Sequence, residues 1–489
     1  MEEEPEAYNM EKILNYINGV LAEPFSGMYL DNINPAEGRA YSLIPDSGNK
    51  DVNHAVEAAR RAFAKWSATP AQERSAILIK IAELIDRDLD KLALAESIDQ
   101  GKPVKLAKIV DIPRASANLR FYATAILHTA SDAHFTDHEA INYTQHQPIG
   151  VAGCISPWNL PLYLFTWKIA PALAAGCTVV AKPSEVTPMT AFLFSKLCIE
   201  AGLPEGVLNI IHGTGPKAGQ AIIEHPEVAA ISFTGGTATG KKIAAIAAPM
   251  FKKLSLELGG KNPNIIFADC DFENAISTTI HSSFSNQGEI CLCGSRIFVE
   301  RPLYEKFLAE FTARVKTLSV GDPLDEKTKV GAIVSEAHMN KILSYIELAK
   351  KEGGKIVLGG NRIETKGRCA TGYFIEPTII TGLEHLCRTN QEEIFGPVVT
   401  IMPFDTEEEV LDYANSTTYG LAATIWTENL KRAHRVAAQV KSGIIWVNCW
   451  LFRDLRTPFG GMKQSGVGRE GGFEALKFFM EEKNVCIKL

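Results

Sequence analysis

The sequence predicts an α/β protein: two α/β units in tandem, each a parallel sheet covered by helices, with a small β extension. Three observations lead there. Short apolar runs alternate with helical stretches from about residue 149, a second such series begins near 260, and 489 residues exceed what one ordinary core fills. Strands buried on both faces lose the inside/outside alternation of half-buried strands, so continuous apolar strands between helices mean a parallel sheet.

Along the chain, the acidic start from Glu2 to Glu6 reads as a solvated terminus. Residues 51–90 carry helical periodicity: Val56, Ala59, Phe63 and Trp66 recur at spacings of three and four, and Ile77, Ile81, Leu84 and Ile85 continue it. Residues 131–148 alternate weakly (Ile141, Tyr143, Gln145, Gln147), as an exposed hairpin would. In the first α/β series the strands are Gly150–Ile155, Cys177–Ala181, Val207–Ile211 and Ala229–Phe233, with helices at Pro161–Ala175 and Thr187–Ala201. The second series has strands at Pro263–Phe267, Ser295–Val299, Val398–Pro403, Ala422–Trp426 and Gly443–Val447. The alternating tail Asn484–Leu489 and the 131–148 hairpin are edges in need of partners, and Ile141–Gln147 is expected to pair with another subunit.

Composition excludes several classes. A net charge of −7 gives no basic footprint for nucleic acid. No window approaches the roughly 18 apolar residues of a membrane span, and neither a signal nor a transit segment is evident, so a cytoplasmic location is expected. The ten cysteines are scattered. Cys291 and Cys293 form the only close pair, and C-x-C is neither a zinc nor a redox C-x-x-C spacing, so reduced thiols and no metal site are expected.

Four constellations carry chemistry. In Phe284–Cys291 a cysteine follows a glycine turn at the end of an apolar helix, where it can face a cleft; a buried structural thiol is the bland alternative. Glu257, in the middle of an apolar strand that ends in Gly259 and Gly260 and flanked by leucines, is a candidate general base because desolvation raises a carboxyl's pKa; the alternative is a glutamate on a solvent face. Asn159, in the turn Ser156-Pro157-Trp158-Asn159, offers an amide N–H to a developing oxyanion, or simply stabilises the turn. Two strand ends suit a dinucleotide. Lys182-Pro183-Ser184-Glu185 places an acid where ribose hydroxyls bind and a 2′-phosphate is repelled, favouring NAD over NADP. Phe233-Thr234-Gly235-Gly236 leads into a helix N-terminus suited to pyrophosphate, and Gly213-Thr214-Gly215 repeats that design incompletely.

In this order, with Glu392-Glu393-Ile394-Phe395-Gly396-Pro397 and Pro458-Phe459-Gly460-Gly461, these blocks resemble the aldehyde dehydrogenase superfamily from about residue 15 to the end. The resemblance implies two Rossmann-like domains: residues 1–125 and 149–259 binding NAD, residues 260–459 catalytic, and 126–148 with 475–489 as oligomerisation strands of a homodimer or homotetramer. It implies Cys291 as nucleophile, Glu257 as base and Asn159 as oxyanion donor. Ile155, Ser156, Pro157, Trp158, Lys182, Ser184, Glu185, Gly215, Phe233, Thr234, Gly235, Gly236, Glu393 and Phe395 are the implied cofactor residues. Many members have serine where this chain has Gly236, so one side-chain bond to phosphate is expected to be missing.

For the small-molecule aldehyde, Asp111-Ile112-Pro113-Arg114, the 288–293 run and Trp450–Thr457 look like the muconic semialdehyde dehydrogenases. Arg114 and Arg453, with Phe459, are the implied substrate-binding residues, since guanidinium binds carboxylate bidentately. Structural ion pairs are the alternative, Arg453 with Asp454 for example. Other readings are a dehydrogenase of broad or different specificity, such as for betaine aldehyde, and a catalytically silent homologue.

Overall fold

In the computed structural model, which describes residues 10–489, the acidic start Glu2–Glu6 lies outside the described residues. The first series folds into an eight-stranded sheet with five parallel strands at its centre. Their spatial order is Lys253–Glu257, Val228–Thr234, Val151–Ile155, Thr178–Lys182, Leu208–Ile210. The chain thus starts in the middle, winds one way through three strands, then returns to wind the other way. That is the doubly wound order, with its switch point between Val151–Ile155 and Val228–Thr234. All five residues of Val151–Ile155 and of Thr178–Lys182 are buried, as continuous apolar runs require. The fully buried helix Pro161–Ala175 and the helix Asn49–Ala68 both pack on this sheet.

Short strands with weak local signal extend this sheet and were not anticipated from sequence. Asn15–Ile17 and Val20–Ala22 add to one side, and Gly466–Val467 adds beside Lys253–Glu257 on the other. The second series forms a seven-stranded sheet ordered Lys355–Leu358, Thr378–Thr381, Val398–Phe404, Arg296–Glu300, Pro263–Ile266, Ala422–Trp426, Ile444–Val447. The two strands at 355–381 were missed. Lys355–Leu358 is only partly buried and pairs antiparallel, so it lacks the continuous apolar signature.

The β extension gives the expected hairpin partners within its own chain. Ile141–Gln147 lies inside the strand Ala140–Pro148, which is central in a three-stranded antiparallel sheet. It pairs on one side with Ala133–Thr136 and on the other with Met480–Lys488 of the same chain. The pairing with Met480–Lys488 runs the whole length of the strand, whereas that with Ala133–Thr136 ends at Tyr143, after which the Thr144 N–H goes to the Asp132 carbonyl. Among the described residues the open edges are those of Ala133–Thr136 and Met480–Lys488 and, beyond Thr144, one side of Ala140–Pro148. The segments 126–128 and 472–478 are helical, so the strands start later than expected on either side. No helix among the described residues is long and apolar enough to cross a membrane.

Candidate active site

The registers put the expected residues on one edge. Ile155 lies opposite Lys182 on one side and Phe233 on the other, and Thr234 lies opposite Glu257, all at the carboxyl ends of parallel strands. Ligands bind beyond that edge because the switch point leaves a crevice there.

Cys291 reaches the crevice by a loop of unusual backbone. The helix Phe272–Phe284 stops, and Asn286, Gln287 and Gly288 follow with φ of 51°, 56° and 72°. Left-handed non-glycine residues are costly unless held. Here Asn286 Nδ2 donates to the carbonyls of Asn159 (3.0 Å) and Glu289 (3.2 Å), and Gln287 Nε2 to that of Ala332 (3.1 Å). At Gly288 a Cβ would strike the carbonyl of Gly396. Asn262 Nδ2 then fixes the carbonyls of Cys291 (2.7 Å) and Cys293 (2.9 Å). Burial raises the Cys291 thiol pKa, and the carboxyls of Glu393 and Glu257 push it the same way, so the resting group is a neutral thiol.

Asn159 is 3% exposed and locked on both sides. Its side-chain amide donates to the carbonyl of Glu289 at 3.0 Å, leaving one N–H for the crevice. Its own carbonyl accepts from Asn286 and from the Lys102 ammonium, the latter at 3.0 Å. Lys102 is fully buried and paired with Asp111 at 2.8 Å, so the Asp111 of the substrate-like block is structural. Removing one partner of such a pair costs about 3–5 kcal/mol.

Glu257 is the last residue of its strand, rather than its middle, and 3% exposed. Its Oε1 has no hydrogen-bond partner among the described residues. Burial drives its pKa well up, and Glu470 adds to this while Lys168 opposes it. Lys168 and Glu470 form a buried pair at 2.7 Å, with Ser232 Oγ accepting from Lys168 at 3.2 Å. Neither was found from sequence, because each is an isolated polar residue on a different element. Gly259 and Gly260 have a steric purpose: a Cβ on Gly259 would run into the Glu393 carboxylate, which accepts the Gly260 N–H at 2.8 Å.

Pro157, Trp158, Asn159, Thr234, Gly235, Gly236, Cys291, Glu393 and Phe395 line one cavity of about 240 Å³. His338 and Lys341, unnoticed in the sequence, complete it. His338 stacks edge-on to Trp158 at 5.1 Å, and its Nε2 bonds the Phe395 carbonyl at 2.6 Å. Burial lowers its pKa to about 4, so it is a neutral imidazole whose Nε2 carries the proton. Beside this cavity, Glu185 accepts from Lys182 Nζ at 2.9 Å and from the Gly215 N–H at 3.2 Å. Ser184 Oγ accepts weakly from Val186 N, a turn role. The buried Thr234 hydroxyl has no protein partner, and the helix Thr237–Ala247 starts at Gly236 without a side-chain cap. Free helix N–H groups, an unpartnered hydroxyl and fixed carboxylates at both ends suit a dinucleotide.

The arginines meet at one ring. The Arg114 guanidinium lies 5.7 Å and that of Arg453 5.2 Å from the Trp167 ring centroid. Arg453 also sits 4.0 Å over Phe459. Neither has an ion-pair partner among the described residues; Asp454 pairs with Arg456 at 2.6 Å, not with Arg453. Arg114 Nε and Nη2 are buried with no acceptor among the described residues; burial lowers its pKa, with Tyr163 opposing and Arg453 adding to the shift. The loop bearing Arg453 is shaped by Asn448 and Leu451 at φ of 56° and 59°. It is pinned by Trp450 Nε1 on the Leu292 carbonyl (2.9 Å), one residue past the cysteine.

Comparison with known proteins decides the family, for the aldehyde dehydrogenase family pattern covers residues 23–485. This chain belongs to the aldehyde dehydrogenase family. A relative from Danio rerio, named 2-aminomuconic semialdehyde dehydrogenase, is 52% identical over 97% of this chain and 98% of its own. A 2-hydroxymuconic semialdehyde dehydrogenase from Pseudomonas sp. (strain CF600) is 47% identical over 98% of this chain and 100% of its own. Among solved structures, the NAD+ complex of aldehyde dehydrogenase from Bacillus cereus superposes with a TM-score of 0.96 at 40% identity, covering 98% of this chain and 97% of that one. The aldehyde dehydrogenase chain is therefore an oxidoreductase acting on the aldehyde group.

Proposed function

We propose that this aldehyde dehydrogenase oxidises a carboxylate-bearing semialdehyde of the 2-aminomuconic or 2-hydroxymuconic kind, with NAD as acceptor. The observation that carries the substrate class is the meeting of Arg114 and Arg453 on Trp167 with no protein carboxylate between them. Two uncompensated guanidiniums repel each other and waste buried donors, and a substrate carboxylate relieves both. Each charge-assisted bond contributes about 1.5–3 kcal/mol. A cationic substrate such as betaine aldehyde is repelled by the same groups. Likeness to the relatives from Danio rerio and Pseudomonas supports the same class.

The chemistry follows from the geometry. The Cys291 sulfur attacks the aldehyde carbon as its S–H proton passes to solvent water; the C–S bond forms, the C=O π pair moves onto oxygen, and that oxygen becomes an oxyanion. The free Asn159 N–H and the Cys291 backbone N–H stabilise that oxygen. NAD, when bound, accepts the hydride released as the thiohemiacetal becomes a thioester. Pro157, Trp158, Thr234 to Gly236, Glu393 and Phe395 would hold the nicotinamide half, and Lys182 and Glu185 the adenosine ribose; the anionic Glu185 disfavours a 2′-phosphate. Glu257, once deprotonated, takes a proton from water, and the resulting hydroxide displaces Cys291 to give the acid. Residues 10–125 and 149–259 serve as the cofactor domain and 260–459 as the catalytic one, with the sheet of residues 133–148 and 480–488 used for assembly into a dimer or tetramer. Ten free cysteines accord with a reducing, cytoplasmic setting.

The test is NADH formation from NAD and 2-hydroxymuconic semialdehyde, against an uncharged aliphatic aldehyde. A kcat/KM at least tenfold higher for the semialdehyde is expected. Equal values would contradict the substrate class and leave an aldehyde dehydrogenase of other diet.

A further inference from the structure

We infer that Tyr163 is a specificity-determining residue whose phenolic hydroxyl forms, with Arg114 and Arg453, a three-donor clamp on the substrate carboxylate. The inference rests on the carboxylate reading above and adds a group that neither the motifs nor the family pattern single out.

Tyr163 and Trp167 are four residues apart on the helix Pro161–Ala175, so they share the face turned toward the helix Ile112–Ala125 that carries Arg114. Asn118 of that second helix fixes the register by donating to the Tyr163 carbonyl at 3.0 Å. The Tyr163 ring lies 5.4 Å from the Arg114 guanidinium, and its hydroxyl accepts Arg453 Nη1 at 2.9 Å. One side chain thus touches both arginines, which come from segments more than 300 positions apart.

The direction of that bond matters. A guanidinium has no acceptor, so Arg453 must donate and the phenol oxygen must accept. The phenolic proton is then left over, and no acceptor for it lies within hydrogen-bond distance among the described residues. Tyr163 is 6% exposed, so water is largely excluded from this proton. A donor polarised by a bonded cation donates more strongly. Beside it stand two more buried donors without acceptors, Arg114 Nε and Nη2. The phenolic proton, the unpartnered Arg114 nitrogens and the remaining Arg453 N–H groups are donors from three neighbouring side chains, which suits the two oxygens of a carboxylate and no donor group.

The experiment compares wild type, Tyr163→Phe, Arg453→Ala and the double variant, with 2-hydroxymuconic semialdehyde and with hexanal. Tyr163→Phe keeps the ring beneath Arg114 and removes only the hydroxyl. Its KM for the semialdehyde is expected to rise about tenfold, or about 1.4 kcal/mol, with kcat and both hexanal parameters unchanged. In the Arg453→Ala background the same substitution is expected to raise the semialdehyde KM further, by at least threefold. Direct contact with substrate requires that, whereas a tyrosine that merely positions Arg453 would then have nothing left to lose. No KM change in the single variant, no further change in the double variant, or an equal loss on hexanal would each overturn the clamp. If wild type does not prefer the semialdehyde, or Arg453→Ala leaves the preference intact, the carboxylate reading itself falls. If those two hold and only Tyr163→Phe is silent, the clamp alone falls.

Discussion

The two ends of the active-site crevice are built on opposite electrostatic plans. At the cofactor end every recognising carboxylate already has a partner: Glu393 takes the Gly260 N–H, and Glu185 takes Lys182 and the Gly215 N–H. Glycines there admit close approach, and the free donors are backbone amides. At the far end two guanidiniums share one indole with no ion-pair partner among the described residues: Arg453 donates to the Tyr163 hydroxyl, and Arg114 Nε and Nη2 have no acceptor. The first end has its carboxylates paired and offers neutral donors, backbone amides and the Thr234 hydroxyl, so it selects by shape and hydrogen bonding. The second is left unsatisfied, so it selects by charge. Between them lie Cys291, Asn159 and Glu257, held by amide bonds to main-chain carbonyls and by burial.

This contrast can be broken from the middle outward. Asn159→Ala removes the proposed oxyanion donor and is expected to lower kcat by about 10²–10³-fold, for charged and uncharged aldehydes alike; steady-state kinetics on both would check this. A loss confined to the semialdehyde would place Asn159 with the arginines instead.

Titration of the nucleophile is the next largest effect. Because burial and two carboxyls raise the Cys291 pKa, the neutral thiol dominates at pH 7 and the thiolate fraction grows with pH. Alkylation of Cys291 by iodoacetamide, followed by mass spectrometry, is expected to accelerate about tenfold per pH unit from 7 to 9. A rate flat over that range would mean a thiolate already present at rest.

Gly259→Ala attacks the cofactor end by shape. The added Cβ meets the Glu393 carboxylate, so Glu393 must move. The KM for NAD is expected to rise by about tenfold while the preference among aldehydes stays the same. A change in that preference would mean the two ends are not independent.

Gly236→Ser should give the smallest effect. Gly236 has open space where a Cβ would go, and the helix it starts lacks a side-chain cap. Serine at an N-cap is worth a few tenths of a kcal/mol over glycine, so a slightly raised Tm and a twofold to threefold lower KM for NAD are expected. Thermal melts and NAD titrations would detect both.

The parts of this site that lie within one short run were legible in the sequence. Glu257 to Asn262 and Asn286 to Cys291 each occupy a strand end or turn, and local chemistry fixes what such a run can do. Ile155 to Asn159 is the same case, and the continuous apolar strands beside it gave the parallel sheet. What the sequence hid was assembled across distance. Arg114 and Arg453 were named through the resemblance, but Tyr163, which joins them, shows only after two helices and a loop pack together. The Lys168–Glu470 pair joins residues 302 positions apart. The alternating strand at 141–147 announced a need for a partner without naming it, and the partner is the same chain's own C-terminus.

The measurement that tests the account most directly is the ratio of kcat/KM for 2-hydroxymuconic semialdehyde to that for hexanal, in wild type and in Arg453→Ala. The ratio is expected to fall by about 10–100-fold in the variant, since one or more charge-assisted bonds are lost, with hexanal oxidation itself unchanged. An unchanged ratio, or a parallel loss on both aldehydes, would contradict a crevice whose far end selects by charge.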